Sequence, residues 1–525
     1  MISRQTIDAE GARGVPPLFR AILLLLIGAG LLARSAGVTR PFDWRNASGG
    51  FSFGAAWHQA DYVQIARNYW RADWRGGLDL PRPRIDWNAD SPGVVEMELP
   101  VIPWLASVAY RAIGYHEAVL RWISWAASLG VLGLFAAFAR RTLDARAAGF
   151  AIAAMAVNPI LVMLAVAPQP DPTSQWLALA SMILLWRWSE TPRFVLLLGS
   201  AACLAGAALV KAPAAFCGLV LAWAVWRRQG RAAFRDPRVW MAAAVALAPP
   251  VAWYLWSHQF WLAYGNSMGI SNETHLLSRG MLFPPRFLRG IAGWEIKGVF
   301  TPVGWLLALA ALAARSPMRD FALVWYGSVC AFYLVAADTT GDGWASYYHM
   351  ASAAPACLLM GIGFAALVDG TAARRLPSRL AARSRLLGLA LGGITLAALI
   401  ATTVYALWLR EVRPDEKRLY DCARAAAAHV PPGAWLLVRG GAKLDPHGHP
   451  VAYDDSRVFA WMDRRGFTYP EEDANLQTIE RFAARGARFW LARPTELRDG
   501  ALRRQAAEHW RLVTACQDTL LLYDL

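Results

Sequence analysis

Cysteine is scarce in this chain: six among 525 residues, none at the paired spacing of a zinc module. Four of them, Cys203, Cys217, Cys330 and Cys357, fall inside apolar runs, which leaves Cys422 and Cys516 in a polar region. Acidic residues are in deficit, with 38 Asp and Glu against 53 Lys and Arg and a formal net charge of +15. The excess does not call for a nucleic-acid partner, because the arginines form short clusters between apolar spans, where the positive-inside bias puts them. No internal repeat and no low-complexity linker is present. What dominates is apolar surface: 56% of residues are hydrophobic and 26 are Trp, which argues against an ordinary soluble domain.

Apolar runs cover residues 17–36, 116–138, 148–166, 172–188, 194–210, 212–226, 239–256, 299–314, 320–337, 350–369 and 386–409, each near the roughly 20 residues a bilayer needs. Every second loop is rich in Arg: Arg140, Arg141 and Arg146; Arg187 and Arg193; Arg227 to Arg238; Arg315 and Arg319; Arg374 to Arg385. One missed or invented span would invert that alternation, so about eleven spans are expected, with a cytoplasmic N-terminus and an uncleaved first helix. The segments 37–115, 257–298 and 338–349 and the C-terminus then face outward. Val101 to Ile113, short and interrupted by Pro103 and Arg111, reads as a helix lying in the interface. From Glu411 onward, short strand-like runs alternate with charged helical patterns. The fold class expected is mainly α: a polytopic membrane helix bundle over 1–410 and a small outward α/β domain over 411–525, in which Cys422 and Cys516 are expected to bond.

Polar chemistry concentrates in the outer segment between Trp57 and Trp104. On a helix running from His58, His58 and Asp61 share one face; Glu96 and Glu98 precede Pro100. Each has a plain reading as a solvated helix start or a cap. Asp171, among prolines at the same outer surface, tips the balance toward function, because carboxylates near a bilayer are costly and usually face a cavity or a partner. Lys211 ends a span on that side, where it could snorkel or bind an anion. Arg279, Arg286 and Arg289 give the loop 257–298 a basic excess against the topology rule, as an anionic partner such as a lipid phosphate would explain. Tyr347, Tyr348 and His349 close another outer loop. His258, His275 and His349 face outward but lack ligand spacing, so no cofactor is predicted and a divalent metal stays open.

An Asp on the first outer helix, Glu-x-Glu-x-Pro before an interfacial helix, an acid after the third span and Lys in Val-Lys-Ala-Pro together resemble GT-C type lipid-linked-sugar glycosyltransferases. The resemblance covers about residues 18–370 and is greatest to bacterial relatives of protein O-mannosyltransferases and of the aminoarabinose transferase of lipid A. It implies inverting transfer of a sugar from a polyprenyl-phosphate donor to a glycan, lipid or protein acceptor, at the outer face of a bacterial inner membrane. It makes Asp61 the matching catalytic acid/base, with Glu96, Glu98, Asp171, Lys211, the loop arginines and Tyr347 to His349 as substrate-binding candidates. Spacing to Pro100 favours Glu98 over Glu96. A transporter or flippase is the rival reading, set back by the missing repeat and by acids gathered at one surface.

Overall fold

The computed structural model describes residues 17–46, 56–71, 82–88, 93–272, 285–341, 346–372, 378–412, 414–445, 448–498 and 500–525. Each apolar run of the sequence becomes helical. In chain order the main helices are α1 (Pro17–Ser35), α2 (Ala56–Arg71), α3 (Val101–Ile113), α4 (Ala118–Thr142), α5 (Ala145–Ala156), α6 (Pro159–Leu164), α7 (Asp171–Glu190) and α8 (Phe194–Val210). They continue with α9 (Gly218–Gln229), α10 (Pro237–Tyr264), α11 (Pro285–Trp294), α12 (Thr301–Ala311), α13 (Pro317–Val335), α14 (Ala353–Val368) and α15 (Ser384–Val412).

The protein is a multi-pass membrane protein. Among the described residues, four helical stretches are long and apolar enough to cross a bilayer unaided: Ala118–Thr142, Pro237–Tyr264, Ser346–Val368 and Ser384–Ala427. Several other runs are interrupted for local reasons. The run 148–166 breaks at Asn158, whose amide donates to the Val299 carbonyl at 3.0 Å, and restarts on Pro159, which has no N–H to continue the ladder. The run 212–226 opens as a tight 3₁₀ turn, Ala212–Cys217, and the run 299–314 follows a π-helical turn, Glu295–Phe300.

The Arg-rich loops gather at one end. Arg146 pairs with Asp369, and Arg227 lies 3.8 Å from Asp320, so loops assigned to one side by charge touch each other across the bundle. Helices start there on side-chain caps: Asp144 accepts from the N–H groups of Arg146 and Ala147, Asp236 from Arg238, and Ser316 from Met318, with Pro237 and Pro317 next in line. At the centre α14 is buried along its length, and its glycines let neighbouring backbones close in. A Cβ on Gly363 would lie 1.7 Å from the Leu307 carbonyl oxygen.

At the other end six strands, β1 (Trp87–Asn88), β2 (Trp435–Arg439), β3 (Arg465–Tyr469), β4 (Ala487–Ala492), β5 (Arg511–Cys516) and β6 (Leu520–Asp524), form one sheet in the order β1-β3-β2-β4-β6-β5. Its β1 comes from the segment 37–115 and pairs in parallel with β3, Trp87 opposite Gly466. The C-terminal region therefore does not build its sheet alone. Tyr62, Trp87 and Met97 share one hydrophobic core with Cys422, Leu436, Phe459 and Leu522. Cys422 and Cys516 form the expected disulfide, their Cα atoms 5.6 Å apart. Because the bond closes a loop of 94 residues, Cys422→Ser with Cys516→Ser should lower stability by about 2–4 kcal/mol. Thermal unfolding of the purified protein, with proteolysis of the C-terminal region as a second readout, would show it; an unchanged melting curve and cleavage pattern would defeat it.

Candidate active site

Three segments converge because each is stopped or stitched at a defined residue. α8 ends at Lys211, whose backbone is extended (φ −157°, ψ 110°) just before Ala212-Pro213, where the ring of Pro213 disfavours continued helix. The stretch 96–99 runs alongside: Leu99 N–H donates to the Leu209 carbonyl at 2.9 Å, and Glu96 exchanges backbone bonds with Asn266 and Met268 at 3.0 and 2.9 Å. The third segment, Ser346–Ser352, is a 3₁₀ turn leading into α14. Between them, with the start of α2, lies a cavity of about 300 Å³ walled by Trp57, His58, Glu98, Lys211, Tyr347 and Tyr348.

Lys211 is the centre of this wall and is 6% exposed. Its ammonium lies 3.3 Å from Glu98 Oε1 and 3.3 Å from His58 Nε2, and 5.0 and 5.5 Å from the ring centroids of Tyr347 and Tyr348. Tyr62 donates to the other Glu98 oxygen at 3.4 Å. A buried cation held by one carboxylate and two aromatic faces is a ready site for a larger anion. Asp171 joins Lys211 in a smaller adjoining cavity of about 50 Å³, and its Oδ2 has no hydrogen-bond partner among the described residues. The main cavity also shares Ala212, Tyr254 and Ile270 with a groove of about 410 Å³, walled mostly by aliphatic residues of α8 and α10 such as Leu204, Ala208, Val251 and Leu255.

The structure thus brings together Glu98, Asp171, Lys211, Tyr347 and Tyr348, and separates the other candidates. Asp61 does not open on the cavity. It is 1% exposed, accepts from Trp87 Nε1 at 3.0 Å and from the Ser456 hydroxyl, and so faces the C-terminal region. The reason is helical: three residues from His58 is about 60° around the axis, and α2 is buried on nearly every face. Glu96 also turns away, accepting from Ser267 and Ser271 at 2.6 and 3.0 Å and meeting His258 at 3.0 Å, which anchors the segment after α10. His349 is fully buried with Nδ1 at 2.7 Å from Glu295 and Nε2 at 2.8 Å from the Thr340 carbonyl, a structural placement instead of a ligand-binding one. Arg286 and Arg289 lie exposed on α11, Arg286 over the Phe287 ring at 4.3 Å, and neither walls the cavity. Arg279 and His275 fall outside the described residues. Among the described residues no group of three or more His, Cys, Asp and Glu side chains could hold a metal ion.

Among the residues that wall the cavity, His58 and Tyr254 carry polar chemistry that the sequence does not assign to the site. His58 shares a helix face with Asp61, whose carboxylate is the stronger signal. Tyr254 sits inside the long apolar run of α10, where an aromatic residue looks like any other core position.

Asp61 instead belongs to a clamp. Gln64 donates to the Ser456 carbonyl at 2.7 Å, and Arg67 pairs with Asp86 at 2.6 Å and Asp463 at 2.9 Å. Burial, opposed by the bonds from Ser456 and Trp87, pushes the Asp61 carboxyl up to about 8, and burial takes nearby Asp454 to about 7. Both keep a proton in the folded state that the unfolded chain releases near 3.8, so unfolding releases protons between these values. Stability should therefore fall as pH rises from about 4 to about 8. In Asp61→Asn that slope should flatten, and transfer should fall far less than the about 10²- to 10⁴-fold expected of a lost general base. Melting curves across this range check the first point; an unaltered slope in the variant refutes it.

Residues 91–256 match the family model described as dolichyl-phosphate-mannose-protein mannosyltransferase. No curated protein sequence matches the chain. Among solved structures, ArnT from Cupriavidus metallidurans bound to undecaprenyl phosphate is 15% identical over 96% of this chain and 98% of that one, with a TM-score of 0.63. The Archaeoglobus fulgidus oligosaccharyltransferase complexed with Zn and sulfate is 11% identical, over 92% of this chain and 69% of that one, with a TM-score of 0.52. At these identities the likeness is one of fold. Together with the family match it bears out the resemblance to GT-C type glycosyltransferases.

Proposed function

We propose that this protein is an inverting glycosyltransferase that moves a sugar from a polyprenyl-phosphate donor to a hydroxyl-bearing acceptor at the outer face of a bacterial inner membrane. Residues 1–410 would form the transferase and 411–525 a soluble region on the outer side. The observation that carries the reading is Lys211: a buried cation in a cavity that continues into an aliphatic groove between α8 and α10. A lipid phosphate has the matching two-part chemistry, an anionic head for Lys211 and a hydrocarbon tail for the groove. The structurally similar ArnT was solved bound to undecaprenyl phosphate, which supports a donor of that kind.

In the reaction the sugar–phosphate bond breaks and negative charge grows on the departing phosphate. Lys211 lies where that charge is compensated, in surroundings that exclude most water and so strengthen the interaction. Glu98 keeps Lys211 charged and aimed before the donor arrives, and Tyr347 and Tyr348 offer faces on which a sugar ring can lie. The acceptor attacks from the side opposite the phosphate and inverts the anomeric centre. Purified protein incubated with a panel of polyprenyl-phosphate sugars should release or transfer one of them; no turnover and no binding across the panel would overturn the reading.

A further inference from the structure

One polar atom in the cavity wall has no partner among the described residues. His58, in the first turn of α2, is 2% exposed, stacked on Tyr347 with centroids 5.8 Å apart and edge-on to Tyr62 and Trp57. Its Nε2 lies 3.3 Å from Lys211 Nζ, while Nδ1 has no hydrogen-bond partner among the described residues. An ammonium group only donates, so Nε2 is the accepting nitrogen and Nδ1 carries the hydrogen. The ring is therefore a neutral imidazole with its lone pair turned toward Lys211 and the cavity. Burial first, and then the charge of Lys211, hold it well below the usual histidine range.

We propose that His58 is the general base of the transfer, and that the donor's own phosphate uncovers it. The proposal rests on the glycosyl-transfer reading above. When an anionic phosphate enters, Lys211 turns its N–H groups to it. The Nε2 lone pair then loses its donor and is free for the acceptor hydroxyl. The cationic charge that opposes protonation of the ring is offset at the same moment, so basicity rises only once the donor is bound. The acceptor O–H proton passes to Nε2 as its oxygen bonds to the anomeric carbon. The bond from that carbon to the phosphate oxygen breaks, and the electron pair leaves with the polyprenyl phosphate facing Lys211. The Nε2 proton is lost to water after product release, so no other reactant is consumed.

The competing acceptors in this wall are engaged or turned aside. Glu98 already accepts from Lys211 and Tyr62, Asp171 lies in the adjoining cavity, and Asp61 faces Trp87 and Ser456. Among the described residues, Tyr62 and Tyr347, with Lys211 and through it Glu98 and Asp171, are the titratable groups that face the ring.

The test compares wild type with His58→Asn, His58→Gln and His58→Asp as full-length protein. It measures undecaprenyl phosphate binding by calorimetry and single-turnover transfer across pH, using whichever polyprenyl-phosphate sugar wild type accepts. Expected are near-wild-type binding in His58→Asn and His58→Gln, transfer reduced about 100-fold or more, and loss of the rise in rate with pH that a deprotonating base produces. His58→Asp, which restores a proton acceptor, should transfer faster than His58→Asn. Wild-type transfer in His58→Asn, or binding lost in proportion to transfer in both amide variants, would overturn the proposal, the latter showing that His58 only holds Lys211. If wild type binds no undecaprenyl phosphate and transfers nothing, the glycosyl-transfer reading itself fails, and the wild-type arm separates the two failures.

Discussion

Lys211→Met should lower transfer by about 10³-fold or more, because it deletes the cation on which charge from the breaking bond would fall. Methionine keeps the length and apolar stem of lysine, so the packing between Tyr347 and Tyr348 survives. The electrostatics does not. Glu98, 7% exposed, keeps, among the described residues, only the Tyr62 hydroxyl as a donor and becomes a buried anion facing an incoming phosphate. Both the donor's affinity and the rate of the bound complex should fall, which distinguishes this variant from the His58 amides. Lys211→Arg should recover only part of the loss. A planar guanidinium presents its donors in a fixed fork, whereas this site holds a compact ammonium within 3.3 Å of both His58 and Glu98. Calorimetry with undecaprenyl phosphate and single-turnover rates would measure both effects, and a well-folded Lys211→Met protein that binds and transfers like wild type would refute the assignment.

How far the site could be read in advance depends on the range of the contacts that make it. Arg-rich loops alternate because of a rule that acts loop by loop, and ion pairs such as Arg146 with Asp369 put two of those loops side by side. The helix Val101–Ile113 was legible to the residue, since its length and its Pro103 are local facts. Lys211 could be picked because a charge at the end of an apolar run is conspicuous wherever it points. The placement of Asp61 was not legible for a different reason. What it touches, Ser456, lies 395 residues away, and nothing local marks α2 as a helix covered on every side. Without that cover the carboxylate looks free to face a cavity, and the neutral histidine one turn earlier looks incidental. The arginines of α11 fail similarly: a basic excess counts charges in a loop, but exposure at the helix surface is set by how Phe287 is buried beneath them.

Glu295→Leu should destabilise the protein by about 3–5 kcal/mol, although Glu295 walls neither the cavity nor the groove. Its carboxylate sits in the π-helical turn before α12, 2% exposed, and gathers three partners from two other segments: His349 at 2.7 Å, Ser352 at 2.9 Å and Tyr326 at 2.8 Å. His349 is pinned on its far side by the Thr340 carbonyl at 2.8 Å. Leucine would leave the imidazole and a tyrosine hydroxyl buried without that acceptor, and each unmet group costs about 1–3 kcal/mol. The damage should also reach function, since Tyr347 and Tyr348 stand on the same turn as His349 and carry the ring faces against Lys211. A second substitution decides whether the pair, and not the volume, is responsible. Glu295→Leu with His349→Leu exchanges a buried polar pair for an apolar one, so stability should return in large part, while transfer should stay low because nothing then fixes the turn. Thermal unfolding of the two single variants and the double variant gives the coupling directly. Strictly additive losses would mean that Glu295 and His349 act independently, and that the Tyr347–Tyr348 wall is held by something else.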